Sequence, residues 1–127
     1  MPISPYVVDL RARIGRRLLL LPSVTVLPHD DDGRVLLVRS VGSGMWDTIG
    51  GMVEPDEHPA DAAVREASEE AGVDVDLVGI VAVLGGPQFR LTYPNGDEAA
   101  YVVTVFDAVV VGGEPRHDDV ETAEPQS

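Results

Sequence analysis

Gly51-Met52-Val53-Glu54-Pro55-Asp56-Glu57-His58-Pro59-Ala60-Asp61-Ala62-Ala63-Val64-Arg65-Glu66-Ala67-Ser68-Glu69-Glu70-Ala71-Gly72-Val73 is the stretch whose reading decides the fold. Its second half predicts a helix over Pro59–Ala71. Pro59 suits the first helical position, where its missing N–H is not needed. Gly72 suits the position just past the end, where a left-handed backbone is common. Ala60, Ala63, Val64, Ala67 and Ala71 recur at helical spacing and make one apolar face. The face is built of small side chains, so the helix can lie close against its neighbour.

The same helix breaks a local rule. Glu66, Glu69 and Glu70 crowd its last turns, where carboxylates oppose the helix dipole at a cost of a few tenths to about 1 kcal/mol each. Glu66 and Glu70 also stand four apart, where like charges repel. Positions i, i+3 and i+4 share one side of a helix, so the three carboxylates are expected to converge beside the alanine face, partly shielded from water. Convergent hard oxygen ligands suit Mg²⁺ or Mn²⁺. A cation there would cancel the repulsion and present positive charge to a phosphate. A solvated acidic face is the plain alternative for ExxEE taken alone.

Outward from the helix, the pattern is that of an α/β domain. Tyr6–Ile14 predicts a short helix. Leu18–Leu27 and Val35–Arg39 predict strands joined by the turn Asp30-Asp31-Asp32-Gly33. Val41–Met52, Gly-rich and holding Trp46, reads as a loop. Leu77–Leu84 and Phe89–Tyr93 read as strands. Pro94-Asn95-Gly96-Asp97 reads as a hairpin turn, since Asn-Gly supplies positive φ angles. Ala99–Val111 returns as a long β-branched strand. The expectation is one domain over 1–127, with an N-terminal extension at 1–17 and a polar, acidic tail without periodicity at 112–127.

Composition limits the partners. The 127 residues suit one compact domain, and 44% are hydrophobic, enough for a core. The formal net charge of −13 and pI near 4.3 should repel nucleic-acid polymers. A phosphate substrate would therefore need a bridging cation. With no cysteine, disulfides and thiolate metal sites are excluded. His29, His58 and His117 lack zinc-site spacing. Arg16-Arg17 before Leu18–Leu21 has a twin-arginine look, but Pro22 and Pro28 interrupt the run and no small-residue cleavage site follows. The run is also too short to span a bilayer. The expectation is a soluble cytoplasmic protein with no membrane partner.

The wider spacing around the helix is specific. Gly51, five residues, Glu57, seven residues, Arg65-Glu66, apolar Ala67, Ser68, Glu69-Glu70, Ala71, Gly72 and apolar Val73 resemble the signature box of the Nudix hydrolase family. Every fixed position matches. The likeness extends to the preceding strand hairpin and to Trp46, and covers roughly Leu18 to Val111. Thr48-Ile49-Gly50-Gly51 stands where members often have Leu-Pro-Gly-Gly, so the entrance loop departs from the pattern.

The resemblance implies an α/β/α sandwich with a mixed sheet and a metal-dependent pyrophosphatase. Its substrate would be a nucleoside diphosphate linked to another moiety: ADP-ribose or a nucleotide sugar ahead of a nucleoside triphosphate. It implies Glu66, Glu69 and Glu70 as metal ligands with Gly51 at the site. Arg65 would hold a carboxylate in place, and Glu57 would serve as a further ligand or orienting group. A metal-free glutamate such as Glu70, or one from a later loop, would take the proton. Pro87, fifteen residues beyond Gly72, tilts toward ADP-ribose.

Arg39, Trp46, Phe89, Arg90 and Tyr93 are candidates for stacking on a base or clamping phosphate. An ordinary surface role is the plainer reading of Arg39, core packing serves Phe89 and Tyr93 as well as stacking does, and Trp46 could equally be a loop plug. Asp118, Asp119 and Glu121 in the tail are candidates for an extra ligand or base, against a solvated acidic tail. Members usually continue with another strand and a closing helix, so the sheet is expected to lack both and to leave an edge that a homodimer would cover. The competing functional class is a catalytically inactive module that binds a nucleotide metabolite. The intact Glu57, Glu66, Glu69 and Glu70 argue against it. An acidic calcium buffer would need neither Gly51 nor Arg65.

Overall fold

The computed structural model describes residues 4–39 and 44–115, and the backbone of 120–123. In chain order the elements are α1 (Pro5–Ile14), β1 (Leu19–His29), β2 (Val35–Arg39), β3 (Trp46–Asp47), β4 (Ile49–Met52), α2 (Pro59–Glu66), β5 (Val73–Leu84), β6 (Arg90–Thr92), β7 (Glu98–Gly113) and β8 (Val120–Ala123). A π-helical turn, Ala67–Ala71, extends α2, and a 3₁₀ turn, Pro87–Phe89, precedes β6.

The long apolar strand read over 99–111 is the middle of the sheet. β7 runs parallel to β1, from Leu19 opposite Ala99 to His29 opposite Val109. On its other side β5 pairs antiparallel through three register shifts, and β6 pairs with its start. The strand path is β3-β2-β1-β7-β5, with β4 added to β1 and β8 to β2. One parallel pair among antiparallel ones makes the sheet mixed, as expected.

The turn chemistry holds the β1–β2 hairpin. Asp30 Oδ1 accepts hydrogen bonds at 2.9 Å from the backbone N–H groups of Asp32 and Arg34. This is the local Asx pattern that makes such a segment turn.

α2 lays its small face on the sheet. Ala62, Ala63, Ala67 and Ala71 are fully buried in one cluster with Val24, Val26, Ile49, Val73 and Phe106. Val64, read as part of that face, is 38% exposed, and Ala62 takes its place. In so close a contact, added methylenes would cost roughly 1–3 kcal/mol each site.

Three boundaries differ from the sequence reading. Val41–Met52 was expected to be a loop, yet it contains β3 and β4. Ser23, Val24, Thr25 and Val26 face Met52, Gly51, Gly50 and Ile49 in register. Gly50 there reflects close approach rather than looseness: a Cβ at Gly50 would strike the Val24 carbonyl oxygen. β5 begins at Val73 rather than Leu77, because Gly72 at φ 74° ends the helix and the chain enters the strand at once.

The tail was expected to lack regular structure and a further strand. β8 instead pairs antiparallel with β2, Val120 opposite Val38 through Ala123 opposite Val35. Among the described residues no helix is long and apolar enough to cross a membrane.

Candidate active site

The box residues meet where the end of α2 passes the β4 edge. The helix starts as read, with Pro59 at its first position and Asp61 in its first turn. Its end does not stay α-helical. The Gly72 N–H bonds to both Ala67 O and Ser68 O, a wide turn of a kind often found at functional sites. The wider turn changes the angular offsets on which i, i+3, i+4 convergence depends.

The consequence is a division among the three glutamates. Glu66 and Glu69 stay with Arg65, whose Nη1 donates to Glu66 Oε1 at 2.9 Å and to Glu69 Oε2 at 3.2 Å. Glu70 turns to β4, where its Oε2 accepts from the Gly50 N–H at 3.0 Å. The carbonyl of Gly51, beside it, accepts from the Ser23 hydroxyl at 3.0 Å.

Arg65 organises the group. Its Nε and Nη2 donate to the two oxygens of Glu57 at 2.8 and 2.9 Å, and Nη2 also reaches the Met52 carbonyl at 3.2 Å. A bidentate guanidinium–carboxylate pair fixes both partners' planes. Glu57 Oε1 in turn accepts from the Glu54 N–H at 3.1 Å. The Arg65 bonds hold the Glu57 carboxyl below its ordinary range and push the guanidinium's own pKa up.

Glu66 is the anomaly. It is 1% exposed, and its Oε2 has no hydrogen-bond partner. Burial raises its pKa, against the pull of Arg65. An orphaned buried carboxylate oxygen is costly and calls for a partner. Burial likewise lifts Glu70 to about 7, opposed by the Gly50 N–H.

Among the described residues no group of three or more acidic or histidine side chains is already gathered around one cation-sized point. Arg65 lies among the carboxylates instead. The donor set is nevertheless all hard oxygen, and the orphaned Oε2 supplies a free lone-pair site. Glu66 with Glu69, and Glu70 after release from Gly50, fit a divalent cation of the Mg²⁺ or Mn²⁺ kind.

Glu66, Glu69 and Arg65 line a cleft of about 1100 Å³. Among the sequence-derived contact candidates, Tyr93 lines it. Its hydroxyl lies 2.6 Å from that of Tyr101, which also lines the cleft. Burial and this partner raise the Tyr101 pKa.

The other candidates lie outside the cleft lining. Arg39 stacks over Trp46, 5.0 Å from the ring centroid, where β2 meets β3. Phe89 ends the 3₁₀ turn. Arg90 faces Glu98 at 3.6 Å. Asp118 and Asp119 lie outside the described residues. Glu121 stands in β8 opposite Leu37, with only its backbone described.

Sequence reasoning missed Tyr101, Tyr6 and Arg11 as cleft residues. Tyr101 sits in a strand read simply as apolar, and α1 carried no motif.

A family model described as NUDIX domain matches residues 19–126. A putative 8-oxo-dGTP diphosphatase of Bacillus subtilis (strain 168) is 33% identical over 98 residues, 77% of this chain and 59% of that protein. An RNA pyrophosphohydrolase of Pseudomonas putida is 38% identical over 65 residues, 51% of this chain and 41% of the relative. The chain thus spans about half the length of the curated relatives it matches. A crystal structure of UDP-X diphosphatase superposes with a TM-score of 0.67 at 20% identity, covering 98% of this chain and 60% of that one.

Proposed function

This chain belongs to the NUDIX family, and from that premise we propose that it hydrolyses the pyrophosphate bond of a nucleoside diphosphate linked to another moiety. The observation that carries the reading is the buried Glu66, with one oxygen held by Arg65 and the other unpartnered, in the lining of a large cleft.

Glu66, Glu69 and Glu70 would hold Mg²⁺ or Mn²⁺ beside Gly51. When bound, the cation supplies Lewis-acid charge that neutralises phosphoryl oxygens and acidifies water. The protein's own residues do the rest. Arg65 and Glu57 lock each other and keep Glu66 and Glu69 facing the cleft. A glutamate left free of the metal takes the proton of the attacking water; Glu70 is the candidate if Glu66 and Glu69 alone hold the cation, since burial in the metal-free protein lifts its carboxyl to about 7. The water oxygen bonds to phosphorus as the bridging P–O bond breaks, and the leaving phosphate departs with the electron pair.

Size and charge favour a small nucleotide. The cleft exceeds the roughly 300–1,000 Å³ of ordinary ligand pockets, so both halves of a dinucleotide-like substrate have room. A net charge of −13 opposes polymers. ADP-ribose and nucleotide sugars are the first substrates to test, nucleoside triphosphates the second, with the cytoplasm as the place of action.

The reading includes a homodimer. β5 ends the strand path and exposes Val78, Ile80 and Val83, an edge that self-pairing would cover. Sedimentation velocity checks this.

The test of activity is a nucleotide panel with Mg²⁺ or Mn²⁺, reading monophosphate or phosphate release. Glu69→Gln and Glu70→Gln should each lower turnover by orders of magnitude while circular dichroism stays native. Near-normal rates in both variants would refute the assignment.

A further inference from the structure

Helix α1 stands apart from the rest of the molecule in what holds it. It precedes the residues matched by the family model, which begin at 19. It has ten residues, none of them buried, so it adds nothing to the core. A helix that short is marginal by itself, and here only one half-buried face, Val7, Leu10, Arg11 and Ile14, turns inward.

Polar latches secure it at both ends. At its start, Ser4 Oγ donates to Glu54 Oε2 at 2.7 Å, and Glu54 is the residue whose N–H is bound by Glu57. Toward its end, Arg11 Nη2 donates to the Glu98 carbonyl at 2.7 Å, and Nε lies 3.6 Å from Asp97 in the β6–β7 turn. Arg11 also closes the helix terminus through Gly15 O at 3.0 Å and Arg17 O at 2.6 Å. The Arg11 side chain is only 15% exposed. One latch therefore reaches the box loop and the other the hairpin, and both segments line the cleft.

Between the latches α1 presents Tyr6 and Val7 to the cleft. Leu21, Ala99 and the paired Tyr93 and Tyr101 supply the facing surfaces. Arg65, Glu66 and Glu69 also line it. The cleft thus brings a charged group together with aromatic and aliphatic surface bearing two hydroxyls. Those are the two kinds of surface that a nucleotide's diphosphate and base require.

We propose that α1 is the specificity wall of the cleft, seating the nucleobase of a nucleoside diphosphate against Tyr6 and Tyr101 while the diphosphate lies toward Arg65 and Glu66. The proposal rests on the reading of this site as one for nucleoside diphosphates. Arg11 is a positioning residue, acting through the helix it pins. Tyr6 touches the base.

The test compares ligands with and without a base on the full chain. ADP, UDP and inorganic pyrophosphate are titrated calorimetrically in the presence of Mg²⁺ against wild type, Arg11→Ala and Tyr6→Ser. Both variants should weaken ADP and UDP binding about tenfold or more and leave pyrophosphate binding unchanged. Hydrogen exchange of the α1 amides should slow on adding ADP to the wild type and not on adding pyrophosphate.

Equal affinity for ADP in wild type and both variants would overturn the proposal, as would equal losses for ADP and pyrophosphate. Tyr6→Ser keeps the test sound if Arg11→Ala loosens the fold. Failure of the catalytic reading would look different: tight, α1-dependent binding of ADP with no hydrolysis of any nucleotide.

Discussion

Replacing Arg65 by methionine removes the one cation among Glu57, Glu66 and Glu69 while keeping a long apolar stem. The cost can be built from the contacts. The Glu69 contact is half in water, with Glu69 51% exposed, and carries a few tenths of a kcal/mol at most. The bidentate Glu57 bonds are charge-assisted and partly shielded, about 1–2 kcal/mol. Glu66 is left buried with neither oxygen paired, a condition that typically costs about 3–5 kcal/mol. Protonation caps that term, since burial already raises the Glu66 pKa. A net loss of about 3 kcal/mol near neutral pH is expected, or roughly 10 °C in Tm for a domain of this size. The assay is urea unfolding of the metal-free protein, repeated with saturating Mg²⁺. Arg65 and a divalent cation compete for Glu66 and Glu69, so Mg²⁺ should stabilise Arg65→Met more than wild type. Turnover should remain low even then, because Glu57 has lost its anchor. A metal-free loss below about 1 kcal/mol, or equal stabilisation of both proteins by Mg²⁺, would refute the account of Arg65 as the internal counter-ion.

Two further outcomes follow from single contacts. The Glu70 carboxyl rises from 4.5 to about 7 in the folded protein, so the native state binds its proton more tightly than the unfolded chain. Its stabilising share is full below the unfolded value and is lost as pH rises through about 7. Metal-free wild type should therefore lose about 1–3 kcal/mol relative to Glu70→Gln between pH of about 5 and about 7.5, after allowance for screening; parallel pH profiles from urea unfolding would contradict it. Gly50→Ala should destabilise by about 2–4 kcal/mol. The added Cβ meets the Val24 carbonyl and must push β4 off β1, loosening the Gly50–Glu70 bond as well. Denaturant melts and amide exchange at Gly50 check both effects.

Much of the fold was legible because the relevant forces were local. Asp30 folds its own turn, Pro59 and Gly72 bracket their own helix, and β-branched residues from 99 onward fill a pleated strand wherever it pairs. β4 was not legible, because Gly50 and Gly51 have poor strand propensity. They are in a strand because β1 supplies the partner, and the sequence neighbours of Gly50 carry no sign of that. β8 was hidden for the same reason: Val120–Ala123 is short, acidic at Glu121, and paired with β2 from a distance of more than eighty residues in the chain.

The site divides along the same line. Arg65 beside Glu66 and Glu69 follows from their spacing on one helix. The parting of Glu70 from them does not, since it needs both the wide turn at Ala67–Ala71 and an N–H waiting on β4. Nor could α1 be placed, because its two latches join Ser4 to Glu54 and Arg11 to Glu98 across long stretches of chain. Charge supplies the reason these pieces belong together. With 22 acidic residues against nine basic ones, the protein uses two of its few arginines, Arg65 and Arg11, in the lining of one cleft. Arg65 is committed to carboxylates and Arg11 to backbone carbonyls and Asp97, so neither is an idle surface charge. A chain this acidic can receive an anionic substrate only where its own negative charge is already answered. The cleft lined by those two arginines is where that condition is met by the protein's own side chains.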